Sequence, residues 1–257
     1  MLDDDIGSVK KAKHKGVYLL PNLLTSASLF GGFYSIVAAF DGNFEFAAIA
    51  ILISGVLDCL DGRIARLTGT TSKFGMEYDS LSDLVAFGLA PAVLVFTWAL
   101  RPYGRYGWLA AFLFVVCGAL RLARFNVQVS SVESKNFKGL PIPAAALLIA
   151  TTVLFFYYVG GAGGTTKHLT ILALVYVLAF LMVSNVRYYS FKELNLSKRR
   201  SFGLLVASVF LLVLIAAEPQ LVLFILAFAY VLSGPVLTLF LMRRASKTKG
   251  SHSAPEE

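Results

Sequence analysis

The sequence predicts an all-α integral membrane protein with eight transmembrane helices and both termini in the cytoplasm. Three observations lead there. Of 257 residues, 57% are hydrophobic and only 15% are charged, against about 25% charged in a soluble domain. The hydrophobic residues gather in runs of about 17–25, the length that crosses a hydrocarbon layer about 30 Å thick. The basic residues, finally, sort to one side of those runs. Together these exclude a soluble enzyme, a disordered chain and a secreted disulfide scaffold.

The apolar runs cover approximately residues 19–40, 45–67, 74–100, 107–127, 140–160, 168–187, 201–217 and 219–242. With the N-terminus inside, the outer loops hold only Arg101, Arg105 and Lys167 of the 23 basic residues. All the others fall on inner segments, from Lys10, Lys11, Lys13 and Lys15 to Arg243, Arg244, Lys247 and Lys249. Such an asymmetry fixes orientation, and an odd number of spans would scramble it. The net charge of +8 is therefore juxtamembrane, suited to anionic lipid, and no nucleic-acid partner is expected.

The remaining segments follow from composition. Residues 1–18 form a basic juxtamembrane segment. A cleavable signal over 8–40 is disfavoured, because the apolar run is long and lacks a small-x-small cleavage site. The glycine-rich stretch 160–166 reads as an outer loop without the lysine of a phosphate cradle. The tail 244–257 is polar and expected to be disordered. Gly31-Gly32 and Ser54-Gly55 would let helices approach closely. Trp98, Trp108, Tyr157, Tyr158, Tyr188 and Tyr189 read as an interfacial aromatic belt. Cys59 and Cys117 read as small apolar residues.

The acidic residues carry the chemistry. Asp58, Asp61, Glu77, Asp79 and Asp83 lie on two consecutive apolar runs, where a carboxylate at membrane depth costs about 2.5–3.5 kcal/mol. At about 100° per residue, Asp58, Asp61, Gly62 and Ala65 share an arc of about 100° on the second run, with Arg66 at its edge. On the third run Gly75, Asp79 and Asp83 are successive i+4 neighbours. Glu77 points the other way and reads as interfacial. Four converging carboxylates need compensating cations. All-oxygen ligands without His or Cys favour Mg²⁺, Mn²⁺ or Ca²⁺ over zinc, and four acids suffice for two ions. The small residues beside them leave room for a polyphosphate, with Arg66 placed to take an oxygen.

Taken together, Asp58-x-x-Asp61-Gly62-x-x-Ala65-Arg66, eight residues, and Gly75-x-x-x-Asp79-x-x-x-Asp83 resemble the complete signature of the CDP-alcohol phosphatidyltransferases. Flanking segments, LLPNLLTSASLFGGF at 19–33, DSLSDLVAFGLAPA at 79–92, RLARFN at 121–126 and KGLPIPAAA at 138–146, are similar to the family's type II serine-accepting branch. The resemblance implies a six-helix catalytic core over 19–190, two added helices over 191–243, and a homodimer. It implies that Asp58, Asp61 and Asp79 hold one Mg²⁺ or Mn²⁺. Asp61, Asp79 and Asp83 would hold or flank a second, with Asp83 as candidate general base. Gly62, Ala65, Arg66 and Gly75 would line the CDP site.

The implied reaction transfers the phosphatidyl group of CDP-diacylglycerol to the hydroxyl of L-serine, releasing CMP at the cytoplasmic face of the cell membrane. Serine's carboxylate needs a cation. Arg121 and Arg124, one turn apart, and Lys138 are candidates, with Asn126 as a further polar contact. Ordinary positive-inside charge would also account for all three cations. One alternative keeps the chemistry and changes the acceptor to inositol phosphate, glycerol phosphate or choline, or the lipid to an archaeal one. Another is a cation- or proton-coupled transporter, against which stand the absence of internal repeats and the clustering of acids at one end of the spans.

Overall fold

The first helix, α1 (Leu19–Phe40), ends where the chain must reverse within three residues. Gly42 takes a left-handed φ of +79°. Asn43 N–H reaches Ala38 O at 2.8 Å and Gly42 N–H reaches Ala39 O at 3.3 Å, the paired bonds of a glycine C-cap. The chain then returns as α2 (Phe44–Leu67), packed along α1. Small residues make that contact close. Ser28 Oγ donates to Ser54 O at 3.1 Å and Ser54 Oγ to Ser28 O at 3.0 Å. A Cβ at Gly31 would collide with Ser54 Oγ.

The computed structural model describes residues 19–70, 72–129, 139–161, 168–186, 188 and 201–250. Regular structure among them is entirely helical. After α2 comes α3, a continuous helical run over Lys73–Tyr103, started by Ser72, whose Oγ accepts from Gly75 N–H at 3.0 Å. Two turns of α3 widen to π geometry, Leu84–Leu89 and Phe96–Leu100. Pro91 and Pro102 follow them. A proline has no N–H to offer the carbonyl four residues back, and the ladder shifts to Ala90 N–H→Val85 O and Arg101 N–H→Phe96 O.

The remaining helices are α4 (Arg105–Val129), α5 (Ile142–Tyr158), α6 (Leu169–Val183), α7 (Ser201–Ala217) and α8 (Pro219–Gly250). The boundaries follow the eight apolar runs closely. One departs: α8 continues through Gly250, so the polar stretch after residue 243 begins as helix. α3 is the centre of the bundle. Its apolar window is 67% buried, against 17% for that of α8, and Phe87, Leu94, Val95 and Leu100 are fully enclosed. Gly32 of α1 sits over its first π turn, where a Cβ would come within 2.6 Å of Ala86 Cα.

Among the described residues, four helices are long and apolar enough to cross a membrane: Leu19–Phe40, Lys73–Tyr103, Arg105–Val127 and Pro219–Thr238. Shorter apolar helices are Ile142–Tyr158, Leu169–Val183 and Leu205–Ala217. α2 is 24 residues long and carries Asp58, Asp61, Arg63 and Arg66 in its second half. Large apolar side chains stay exposed around the outside, among them Phe30, Phe33, Phe40, Phe210 and Leu212, as expected of a surface facing lipid.

The aromatic belt is only partly that. Trp98 is buried and packs edge-on against Phe156 at 5.3 Å. Tyr188 is buried as well, its hydroxyl donating to Val231 O at 3.1 Å. Both are core aromatics, because the helices they join cross there. Trp108 and Tyr158 are exposed, and Tyr189 lies outside the described residues.

Candidate active site

α1 packs along α2 and against the start of α3, and the acidic residues of those two helices meet beside it. Asp58, Asp61 and Asp79 each bring a carboxylate oxygen within 4.8 Å of the others. At an effective dielectric of about 20, two unit charges at such a separation repel by on the order of 3 kcal/mol. Asp61 is buried, and Asp58, Asp79 and Asp83 are half-buried. Thr25 of α1 donates its hydroxyl to Asp61 Oδ2 at 2.7 Å. Asp79 Oδ1 is buried and has no hydrogen-bond partner. Asp83, one turn further into the bundle, lies within hydrogen-bonding reach of Asp58.

This donor set fits a hard divalent cation. It offers carboxylate oxygens only, one of them buried and without a partner, and neither His nor Cys joins the cluster among the described residues. Beside it opens a cleft lined by Pro21, Asn22 and Thr25 of α1, Asp61, Gly62 and Ala65 of α2, Thr70 and Ser72, and Gly75, Met76 and Asp79 of α3. The glycines differ in what they permit. A Cβ at Gly75 would press on Ser72 Oγ at 3.2 Å, whereas one at Gly62 would meet only Arg66 Nη2 at 3.9 Å. Protein packing does not demand a glycine at 62; the space it leaves opens on the cleft.

A family model described as CDP-alcohol phosphatidyltransferase matches residues 18–183. The chain belongs to the CDP-alcohol phosphatidyltransferase family. Among its relatives is the CDP-diacylglycerol–serine O-phosphatidyltransferase of Helicobacter pylori (strain ATCC 700392 / 26695), 40% identical over 226 residues, 88% of this chain and 93% of the relative. The Saccharomyces cerevisiae protein of the same description is 39% identical over 138 residues, 48% of this chain and 49% of the relative. The archaetidylserine synthase of Methanothermobacter thermautotrophicus is 43% identical over 129 residues, 49% of this chain and 54% of the relative.

The residues expected to serve a CDP-alcohol phosphatidyltransferase are placed unequally. Asp58, Asp61 and Asp79 form the cluster, with Asp83 adjoining it through Asp58. Gly62, Ala65 and Gly75 line the cleft. Arg66 is exposed at its edge, its Nε donating to Gly62 O at 2.7 Å. Of the acceptor-side candidates, Arg121 is half-buried on α4, its Nε without a hydrogen-bond partner. Arg124 instead donates to Asn185 Oδ1 at 3.0 Å. Asn126 donates to Ser80 Oγ at 3.0 Å and to Glu77 Oε2 at 3.4 Å. Both are thus engaged in joining α4 to neighbouring segments. Lys138 lies outside the described residues.

Sequence reasoning missed Thr25, Asn22 and Ser72. Thr25 also carries a structural link, its backbone oxygen accepting from Ser82 Oγ at 3.1 Å. The signal available was the polar pair Asn22-x-x-Thr25 after Pro21, inside an apolar run. Nothing in its spacing points to a carboxylate on another helix.

Proposed function

We propose that this chain transfers the phosphatidyl group of CDP-diacylglycerol to L-serine, forming phosphatidylserine and CMP. The observation that carries the chemistry is the Asp58–Asp61–Asp79 cluster opening onto a glycine-lined cleft. Serine as acceptor is supported by the near full-length similarity to the Helicobacter pylori relative.

Asp58, Asp61 and Asp79 would hold one Mg²⁺ or Mn²⁺, and Asp61, Asp79 and Asp83 a second. When bound, such ions offset the charge of a diphosphate and of the departing CMP. The protein's own groups do the rest. Thr25 fixes the Asp61 carboxylate by hydrogen bond. Gly62, Ala65 and Gly75 let the nucleotide lie close to backbone, and Arg66 at the rim offers a guanidinium to a phosphate oxygen. Asp83 takes the proton of the serine hydroxyl. The hydroxyl oxygen then bonds to the phosphorus carrying diacylglycerol as the bond from that phosphorus to CMP breaks. Arg121 faces the serine carboxylate.

Around this site the proposal sets eight spans in the cell membrane, both termini and the site towards the cytoplasm, where CDP and serine are soluble. Residues 19–190 form the catalytic core, 191–243 add two helices, and the chain pairs as the homodimer that the resemblance implies. An archaeal CDP-lipid is a second reading, favoured by similarity to the archaetidylserine synthase. Purified protein with CDP-diacylglycerol micelles, a divalent cation and a panel of alcohols tests all of this. Serine-dependent CMP release supports the proposal. Release with another alcohol and not with serine overturns the acceptor; preference for an ether-linked archaeal donor selects the second reading. Ion flux in proteoliposomes without CMP release would return the transporter.

A further inference from the structure

On the face of α2 turned away from the carboxylates lies a second cavity. It is a groove of about 360 Å³ between α2, α5 and α8, and its walls include Leu52, Gly55, Cys59 and Arg63 of α2, Leu147 of α5 and Leu223 of α8. It shares no lining residue with the cleft beside the acidic cluster. At about 100° per residue, Arg63 points about 160° away from Asp61. A Cβ at Gly55 would meet Leu147 Cδ1 and Phe87 Cε1 at 3.8 Å, an ordinary contact distance, so packing leaves the groove open there.

Leu52, Gly55, Cys59 and Arg63 follow one another at intervals of three and four residues and form one stripe along the helix. At about 1.5 Å per residue the stripe runs about 16 Å, close to half of a hydrocarbon layer about 30 Å thick. The groove is apolar except at one end, where Arg63 is exposed and is the only charged side chain among the described lining residues. In the orientation proposed above, that end is cytoplasmic. Shape and charge together suit one phospholipid, an acyl chain along the stripe and a phosphate on the guanidinium. Lipid tails are as apolar as the groove, so the tail is selected by shape and the headgroup by charge. A zwitterionic headgroup sets its own cation against its phosphate, whereas a net negative one leaves the phosphate to Arg63. The donor does not meet this description, because its two phosphates would sit at the carboxylates on the other face of α2.

We propose that the groove between α2, α5 and α8 binds one anionic phospholipid of the cytoplasmic leaflet, with its phosphate on Arg63, at a site separate from that of the donor. Leu223 lies beyond residue 183, where the family match ends, so an added helix helps to build the site. The inference goes beyond the transfer reaction and its test does not depend on turnover.

Native mass spectrometry of the purified full chain in detergent tests it, with dioleoyl phosphatidylglycerol and dioleoyl phosphatidylcholine as probes of identical tails. The first phosphatidylglycerol should bind about fivefold tighter than the first phosphatidylcholine, the worth of one basic residue near an anionic headgroup. Arg63→Gln should erase that preference and leave the phosphatidylcholine affinity in place. Lys73→Gln, which removes a cation outside the groove, should keep it. Gly55→Phe fills the groove and should lose the tightest adduct of both lipids. Cys59→Trp, at an exposed position, should do the same and stands in if Gly55→Phe fails to fold. CDP-diacylglycerol added with Mg²⁺ should join the phosphatidylglycerol-bound protein as a second adduct. The inference is overturned if Arg63→Gln keeps the preference, if Lys73→Gln loses it equally, or if neither groove-filling variant weakens the first adduct. One-for-one replacement of phosphatidylglycerol by CDP-diacylglycerol would assign the groove to the donor's tails and overturn it as well.

Discussion

The two sides of the site are assembled from the chain in opposite ways. The carboxylate side comes from residues 58–83, two consecutive helices joined by a short turn, and its oxygens meet within 4.8 Å. As proposed, the acceptor side draws Asp83 from α3 and Arg121 from α4, 38 positions apart in the chain. The first is a local device that helical periodicity already aligns. The second exists only once α3 and α4 have packed. A site can therefore hold its shared chemistry in a short motif and its selectivity in long-range packing, and the two should break differently.

The carboxylate side should break outright. Removing divalent cations with a chelator is expected to abolish CMP release, and adding back Mg²⁺ or Mn²⁺ to restore it. Activity that persists through chelation would refute the metal role. Asp79→Asn keeps the shape of the side chain whose Oδ1 lacks a partner and removes its charge. Asp83→Asn removes the proposed base, whose contribution is about 10²–10⁴-fold. Both variants should lose at least about a hundredfold in kcat, while the Tm of the detergent-solubilised protein holds. An Asp83→Asn protein turning over at near-normal rate would remove Asp83 from the reaction.

That contrast also explains what was legible beforehand. The eight apolar runs foretold the eight helices because a bilayer imposes length and composition on each helix independently. The Asp58/Asp61/Gly62/Ala65 face and the Gly75/Asp79/Asp83 stripe were legible because i+3 and i+4 neighbours share a face wherever the helix goes. Thr25 was not, since its hydroxyl acts across to another helix. Arg124 is equivalent to Arg121 in sequence, and Asn126 reads as a further polar contact; rotation of α4 sends them to Asn185 and to Ser80 and Glu77. Trp98 and Tyr188 were read as interfacial from their position near span ends. They are buried instead, because a neighbouring helix covers each of them.

Thr25→Val sharpens the comparison from the carboxylate side. The change is close to isosteric and deletes the 2.7 Å bond to Asp61. A partner that orients a metal-binding carboxylate contributes about 10–100-fold in metal affinity or activity. The divalent-cation concentration for half-maximal activity should therefore rise about tenfold, with the serine KM unchanged. A rise in the serine KM instead would show that the two sides are not separable.

The smallest effect has the most informative sign. Gly62 lies within α2, where glycine costs about 1 kcal/mol relative to alanine. A Cβ there would meet nothing closer than Arg66 Nη2 at 3.9 Å. If folding alone shaped this position, Gly62→Ala would be a gain without a penalty. We expect the gain, a rise in Tm of a few degrees or about 1 kcal/mol, together with a several-fold higher KM for CDP-diacylglycerol. The added methyl stands in the cleft that Gly62 lines with Ala65 and Gly75. A variant more stable and equally active would mean that the nucleotide does not approach α2 here. A variant both more stable and less able to bind donor identifies the glycine as kept for the ligand, at the expense of the helix.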